Sequence, residues 1–132
     1  MAFLKKIFNG YVPAVTWWFV VLVLMCTPGR DLPKLGGWTD IISLDKIIHI
    51  TIFGLMAYLF MRPATSDIPF PDKKQQLLRI AISISLWGLA MEFVQDFWIE
   101  GRSFDLWDFV ADSIGAFAAY FYARKYFLDS AE

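Results

Sequence analysis

The chain of 132 residues, long enough for one domain over residues 1–132, is 58% hydrophobic and only 19% charged, where soluble domains carry about 25% charged residues. A formal net charge of −1 leaves no large basic surface for nucleic acid. The single cysteine, Cys26, excludes an internal disulfide and a cysteine-only metal site.

The first apolar stretch follows Lys5 and Lys6 and continues to Cys26. A signal peptide has a similar charged start, but its apolar core is only about 7–15 residues long and ends at a small-residue cleavage site. This stretch is longer and no such site follows it. The sequence therefore predicts an uncleaved membrane helix over residues 8–26, with Pro13 in its first turns, where a missing N–H is best tolerated.

Three further stretches have the length and apolar character of membrane helices, which need about 20 residues each. They cover residues 44–61, 77–99 and 105–126, and polar or proline-rich loops separate them. Hydrocarbon offers the backbone no hydrogen-bond partner, so only helices and closed barrels span it. Because the stretches are continuously apolar and do not alternate, the sequence predicts an all-α bundle of four transmembrane helices.

Basic residues in the short loops predict the orientation, because cytoplasmic loops carry the excess of Lys and Arg. With the N-terminus inside, the cytoplasmic side holds Lys5, Lys6, Arg62, Lys73, Lys74, Arg79, Arg124 and Lys125. The other side holds the smaller set Arg30, Lys34, Lys46 and Arg102. We therefore expect a multi-pass protein of the cytoplasmic membrane with both termini in the cytoplasm.

Ionisable side chains within the second to fourth predicted helices are the main functional signal. Each costs on the order of 3 kcal/mol in hydrocarbon, so it faces the bundle or a wet cavity. Asp45 and His49 are four residues apart and share one helical face. The predicted ligand-binding residues are Asp45, Lys46, His49, Glu92, Gln95, Arg102, Asp105, Asp108 and Asp112.

The predicted orientation gathers these residues at the outer ends of the three helices. Glu92 and Asp112 are the deepest, roughly 10 Å below the interface at 1.5 Å per residue, and His49 is shallower. These three are the candidate catalytic residues. The short turn before the fourth helix makes the third and fourth helices antiparallel neighbours. Gly115 and Ala119, a small-residue spacing, would let helices approach closely and help Asp112 reach Glu92.

Each of these residues also has a purely structural interpretation. Asp105 is a candidate N-cap, and Asp108 in the first turn would interact favourably with the helix dipole. Arg102 is a candidate loop residue paired with Asp105 or Glu100. Asp45 and Lys46 are candidate interface residues whose side chains extend toward water. His49 is a candidate for a histidine that only packs between helices, and Asp96 for a solvated residue. Glu92 and Asp112 are harder to explain in this way because they are deeper.

Four short motifs follow one another along these helices: Asp45-Lys46-x-x-His49, Glu92-x-x-Gln95, Gly101-Arg102-Ser103-Phe104-Asp105-x-x-Asp108 and Asp112-x-x-Gly115. Over about residues 45–120 their order and spacing resemble the VanZ-like family, small bacterial membrane proteins named for a member linked to resistance to the glycopeptide teicoplanin. The resemblance implies a role in cell-envelope or antibiotic-resistance physiology but supplies no reaction. The family often has Asn at the position of Asp112, which therefore adds a charge in this chain.

Three functions are compatible with this pattern. The first is an outward-facing site for an envelope lipid or a glycopeptide-related ligand, with Arg102 binding a phosphate or carboxylate. The second is an intramembrane hydrolase or transferase acting on a lipid-linked substrate, with His49 as base and Glu92 or Asp112 as buried acid. The third is a proton-coupled transporter or structural subunit, for which a homodimer would supply the pathway.

Cofactors and partners follow from the same residues. His49 with Glu92 and Asp108 or Asp112 would offer ligands to a divalent cation, but one histidine and scattered carboxylates form no diagnostic metal spacing. We therefore expect no metal and no cofactor. The expected partners are membrane lipids, including a lipid-linked envelope precursor, and not nucleic acid.

Overall fold

The structure is a computed structural model, and it describes residues 1, 4–5, 10–28, 38–66 and 72–128. Within 38–66 the side chains are described from residue 44 onward. These residues form four α-helices and no strand. The helices are α1 (Tyr11–Cys26), α2 (Trp38–Ala64), α3 (Asp72–Trp98) and α4 (Leu106–Ala123). A π-helical turn, Arg124–Leu128, continues α4. The all-α prediction is therefore confirmed over the described residues.

The ends of the helices differ from the predicted boundaries. α2 is longer than the predicted 44–61, because it begins at Trp38 and continues to Ala64 with Pro63 inside its last turn. The helix ends just beyond, where the N–H and the hydroxyl of Thr65 both donate to the carbonyl of Met61. α3 begins at Asp72 and not at 77, because polar residues with an acid in the first turn extend a helix beyond its apolar part.

Some sequence predictions fall on residues that the structure does not describe. Residues 8 and 9 of the first predicted helix lie outside the described ranges, and so do Lys6, Arg30 and Lys34 from the orientation argument.

Two of the helices are long and apolar enough to cross a membrane. They are the Leu44–Ala64 part of α2 and the whole of α3, Asp72–Trp98. The apolar helix α1 has 16 residues, and α4 has 18 residues that include Asp108 and Asp112. Length and composition thus support two membrane spans, and the bundle of four spans remains a prediction.

The most extensive contact in the fold joins α2 and α4. Gly54 of α2 lies against Gly115 of α4 so closely that a Cβ on Gly115 would come within 2.8 Å of the Gly54 nitrogen. Further along the same two helices, the rings of Tyr58 and Tyr122 lie 5.9 Å apart. Both helices therefore leave the same end of the bundle and run parallel to each other.

This contact corrects the predicted role of Gly115. We expected the small residues of the fourth helix to bring it close to the third helix, but Gly115 faces α2. A helix interface is set by which faces meet, and the spacing of small residues does not name the partner helix. α3 is still a direct neighbour of α4, as the short turn between them predicts.

Apolar side chains fill the space between the helices. A hydrogen bond adds to this packing: Trp17 of α1 donates its indole N–H to the carbonyl of Ile52 in α2, with an N–O distance of 3.0 Å. The fully buried apolar side chains include Val21, Phe53, Met56, Met61 and Leu77. Other large apolar side chains point outward from every helix and are more than half exposed, among them Phe19, Ile47, Leu86 and Phe121.

Candidate functional site

Most of the predicted site residues meet at one end of the bundle, where α2 and α4 begin and α3 ends. We call this group the polar cluster; it consists of Asp45, Lys46, His49, Glu92, Asp105, Asp108 and Asp112. Hydrogen bonds and ion pairs join five members around Lys46 and, separately, His49 to Asp112. His49 Nε2 lies 3.8 Å from Asp108 and 3.9 Å from Asp45, which brings the two groups together. α2 contributes Asp45, Lys46 and His49, and α3 contributes Glu92. Asp108 and Asp112 lie in α4, and Asp105 is its N-cap. The predicted convergence of helices two to four is thus seen in the described residues.

Lys46 is the cation at the centre of the outer part of the polar cluster. Its Nζ donates to Asp105 Oδ2 at 2.9 Å, to Asp45 Oδ2 at 3.4 Å and to Asp108 Oδ1. A snorkelling interface lysine would extend toward water, whereas this one is surrounded by carboxylates. Three carboxylates around one ammonium leave the outer part of the cluster with a surplus of negative charge.

Asp105 has two structural roles at once. Its Oδ1 accepts the backbone N–H of Trp107 at 2.8 Å, which confirms the predicted N-cap of α4. Its own backbone N–H donates to Glu92 Oε2 at 2.9 Å and so joins α4 to α3. Burial alone would raise the pKa of Asp105, but the hydrogen bonds and charge of Lys46, with the Trp107 N–H, outweigh burial and lower the pKa.

The inner part of the polar cluster consists of His49, Glu92 and Asp112, which are 4%, 0% and 0% exposed. His49 Nδ1 and Asp112 Oδ1 are 2.7 Å apart, so the ring N–H can donate to the carboxylate. The other ring nitrogen, Nε2, lies 3.8 Å from Asp108 Oδ2 and 3.9 Å from Asp45 Oδ1. Polar atoms of His49, Glu92 and Asp112 that could bind a metal all lie within 4.8 Å of one another.

Two buried carboxylate oxygens in this inner part have no hydrogen-bond partner in the structure. They are Glu92 Oε1 and Asp112 Oδ2. A buried polar atom without a partner costs about 1–3 kcal/mol, and more when it is charged. The structure thus places two deep carboxylates side by side and leaves acceptor capacity on each.

Two residues that sequence reasoning did not single out shape this inner part. A Cβ on Gly88 would come 2.7 Å from Asp112 Oδ2 and 3.0 Å from Phe53 Cε1, so only glycine leaves room for the carboxylate. The Phe53 ring is nearly parallel to the His49 ring, with 11° between the planes and 6.3 Å between centroids. Gly88 and Phe53 each lie four residues from a cluster member, Glu92 and His49, and this helical spacing was the signal available in the sequence.

Gln95 and Arg102 lie toward α1 and make their hydrogen bonds there. Gln95 Nε2 donates to the carbonyl of Met25 at 2.9 Å, and Arg102 Nε donates to the carbonyl of Thr27 at 3.3 Å. They thereby fasten the last turn of α1 to the polar end of the bundle. The predicted pairing of Arg102 with Asp105 is not seen, because the Asp105 carboxylate bonds Lys46 and Trp107 instead.

Asp96, which was interpreted as a solvated residue, is exposed, and its Oδ1 accepts the backbone N–H of Phe104 at 3.2 Å. This bond orders the turn between α3 and α4. The solvated interpretation of Asp96 remains a prediction, with which its exposure agrees.

A groove of about 560 Å³ opens beside the polar cluster between α2 and α4. Its polar end is formed by Asp45, Lys46 and Asp105, and its apolar wall by Ile50, Trp107, Val110, Ala111 and Ile114. A second, apolar groove of about 540 Å³ shares Ile50 and follows the same two helices. Its lining includes Gly54, Leu55, Tyr58, Ala118 and Tyr122. The two grooves adjoin at Ile50, the first with a charged end and the second apolar, and we refer to them together as the α2–α4 groove.

The arrangement has the elements of acid–base chemistry as well as of binding. A histidine whose one ring nitrogen is held by a carboxylate presents the other nitrogen in a defined direction. Here that nitrogen faces Asp108 and Asp45, and Asp45 lines the groove.

Comparisons of the chain with known protein families, with curated proteins and with solved structures found no match.

Proposed function

We propose that this chain is a multi-pass membrane protein that binds a lipid of the bacterial cell envelope in the α2–α4 groove. The observation that carries the proposal is the groove itself, ionic at one end and apolar along the rest. A lipid has the same division between its headgroup and its tail. The headgroup would lie at Asp45, Lys46 and Asp105, and the tail along the apolar wall.

The outward faces of the helices support the membrane part of the proposal. Large apolar side chains are exposed on all four helices, whereas soluble monomers rarely expose contiguous apolar patches larger than a few hundred Å². Trp98 and Trp107 are exposed at the polar end of the bundle, and tryptophan is enriched at membrane–water interfaces. We therefore propose four spans, with the polar cluster at the outer side.

Charge suggests which headgroup atoms would bind. The surplus of carboxylates around Lys46 favours hydrogen-bond donors, such as the hydroxyls of a sugar or an amine. Arg102 lies at the same end of the bundle, and its guanidinium suits a phosphate. A lipid-linked envelope precursor carries both kinds of group.

We also propose, from the sequence motifs alone, that the chain is a VanZ-like protein of the bacterial cytoplasmic membrane.

Lipid analysis of the detergent-purified protein tests the groove. We expect mass spectrometry to show an envelope lipid enriched over the bulk membrane extract. Ala118→Trp should remove that lipid, because Ala118 is exposed and lines the apolar groove. Ala90→Trp is the matched control, because Ala90 is an exposed alanine on α3 that does not line the groove. No enrichment, or equal loss in both variants, would contradict lipid binding in the groove.

The headgroup end has a separate test. Asp45→Asn keeps the shape of a half-exposed groove residue but removes its charge, and Arg102→Ala removes the guanidinium. We expect each variant to lower the enrichment of the headgroup-bearing lipid while Asp96→Asn leaves it unchanged. An unchanged lipid profile in both variants would show that the polar end does not select the headgroup.

Catalysis is a second candidate function, and the 2.7 Å contact between His49 Nδ1 and Asp112 Oδ1 favours it. That contact would hold the ring so that Nε2 could take a proton from a hydrolytic water or a substrate hydroxyl. Incubating the protein with envelope lipid extract should then release a headgroup, and His49→Gln and Glu92→Gln should each abolish release. Release that survives both substitutions would exclude these catalytic roles.

A further inference from the structure

We infer that His49, Glu92 and Asp112 form a binding site for one divalent transition-metal ion at the inner part of the polar cluster. This inference concerns the inner part alone and does not depend on lipid binding in the groove. It differs from the sequence expectation of no metal, because the three residues are far apart along the chain and only the fold brings them together.

The ligand atoms are close enough to share an ion. One such atom from each of the three residues lies within 4.8 Å of the other two. Ligands bound 2.0–2.2 Å from a metal lie about 3–4.4 Å from one another, so a small inward movement suffices. The 2.7 Å separation of His49 Nδ1 and Asp112 Oδ1 is that of a hydrogen bond, and these two atoms would move slightly apart to become adjacent ligands. Metal binding would then replace the proton between these atoms.

The unpartnered oxygens are a second, independent indication of a binding site. Glu92 Oε1 and Asp112 Oδ2 are fully buried and have no hydrogen-bond partner. Gly88 keeps open the space beside Asp112 Oδ2, since a Cβ there would come within 2.7 Å. A cation among the three side chains would give both of these oxygens a partner.

Charge balance favours the inner part over the outer part. A second group, Asp45, His49 and Asp108, also has ligand atoms within 4.8 Å of one another. In that group, however, both carboxylates already bond the ammonium of Lys46. The carboxylates of Glu92 and Asp112 do not contact Lys46. A doubly charged ion would neutralise these two and leave the buried site without net charge.

Carboxylates also lie near the second ring nitrogen of His49. A metal-bound histidine usually directs its other ring nitrogen to a carboxylate. His49 Nε2 lies 3.8 Å from Asp108 Oδ2 and 3.9 Å from Asp45 Oδ1. One imidazole nitrogen with two carboxylates suits Mn²⁺, Fe²⁺ or Zn²⁺ better than Mg²⁺ or Ca²⁺, which prefer oxygen ligands only.

The test is metal content of the purified full-length protein in detergent. We load the protein with Mn²⁺ or Zn²⁺, remove free metal and measure the bound metal by elemental mass spectrometry. The wild-type chain should retain about one ion and unfold at a higher temperature with metal than after chelation, since a ligand of the native state stabilises it. Absence of both retained metal and any thermal shift with either ion would overturn the inference.

Variants then locate the ion. Glu92→Gln and Asp112→Asn should lose most of the metal and the thermal shift, whereas Asp96→Asn, a carboxylate substitution on the same helix as Glu92, should keep both. Asp45→Asn removes only a carboxylate beside His49 Nε2 and should therefore retain more metal than Glu92→Gln or Asp112→Asn. Full retention in Glu92→Gln and Asp112→Asn, or loss in Asp45→Asn alone, would overturn the inner site. Because the wild-type measurement needs no variant, a variant that does not fold leaves the test intact.

Discussion

Asp112 illustrates at the scale of single residues how the fold makes room for a buried charge. The carboxylate is fully buried, one oxygen contacts His49, and the other lies against Gly88. A charge so placed is tolerated only where partners compensate its lost hydration. Its environment therefore depends on a neighbour on α2 and on the missing side chain at Gly88 in α3.

Gly88→Ala should disturb this environment directly. The new Cβ would come 2.7 Å from Asp112 Oδ2 and 3.0 Å from Phe53, so side chains must shift. We expect a loss of stability of about 1–3 kcal/mol, as is typical of overpacking. Thermal unfolding in detergent measures it. Ser83→Ala, on an exposed position of the same helix, is the control; equal stability of Gly88→Ala and wild type would contradict the close contact.

Asp105 combines a cap and an ion pair, and two variants separate them. Asp105→Asn keeps an N-cap side chain but loses the charge that pairs with Lys46, whereas Asp105→Ala loses both. We expect Asp105→Ala to be the less stable of the two by about 1 kcal/mol, the usual contribution of an N-cap. Unfolding temperatures of both proteins give the comparison, and equal values would mean that the cap does not stabilise α4.

The lowered pKa of Asp105 adds a dependence on pH. A carboxyl with a lowered pKa in the folded state stabilises the fold above its ordinary pKa, and that stabilisation is lost as the pH falls through the lowered value. Wild type should therefore lose stability in acid more steeply than Asp105→Asn. Melting curves across acidic pH test this, and parallel acid profiles would contradict it.

At the scale of elements, the parallel contact of α2 and α4 determines the site. Gly54 and Gly115 let the backbones touch, and the same pairing of helices brings Lys46 to Asp105 and Asp108, and His49 to Asp112. Small residues at one level thus fix the ionic contacts one or two turns away. A substitution that changes the distance between α2 and α4 should therefore affect the polar cluster, even when no residue of the cluster is itself substituted.

Gly115→Ala tests this coupling. A Cβ at Gly115 would come 2.8 Å from the backbone nitrogen of Gly54, and backbone cannot move as cheaply as a side chain. We expect a loss of stability of about 1–3 kcal/mol together with weaker metal retention. Ala118→Ser, at an exposed position on the same helix, should change neither. Unfolding temperature and metal content measured on the same preparations would reveal whether the two effects occur together.

At the scale of the whole molecule, consecutive helices run in alternating directions. The polar cluster and the hydrogen bonds that hold the end of α1 therefore lie at the same end of the bundle. Gln95 and Arg102 bond the end of α1, while Glu92 bonds the start of α4. The opposite end carries the turn after α2 at Thr65 and Ser66. In a membrane, these two ends would lie on opposite sides.

Cysteine labelling tests the sidedness. In a Cys26→Ser background, Ser103→Cys at the polar end should react with an impermeant thiol reagent in intact cells, because we propose that this end faces outward. Ser66→Cys at the other end should react only after permeabilisation. Both side chains are exposed, so accessibility within the protein is matched. The reverse labelling pattern would contradict the outward site.

Much of the architecture could be predicted from the sequence alone. Continuous apolar runs predicted the four helices, because the length and composition of a helix are local properties. The convergence of Asp45, Glu92 and Asp108 at one end also followed, since consecutive helices joined by short loops alternate in direction. Helix ends were less well predicted, as at Trp38 and Asp72, because polar residues continue a helix beyond its apolar part.

Only the tertiary structure decided which side chains meet within that end. A helical face can be read from spacing, but the rotation of each helix and its neighbour depend on packing across the whole bundle. For this reason the sequence did not show that Gly115 faces α2 or that Gly88 makes room for Asp112. The buried group of His49, Glu92 and Asp112 with its unpartnered oxygens likewise exists only in the folded chain, because its members come from three different helices.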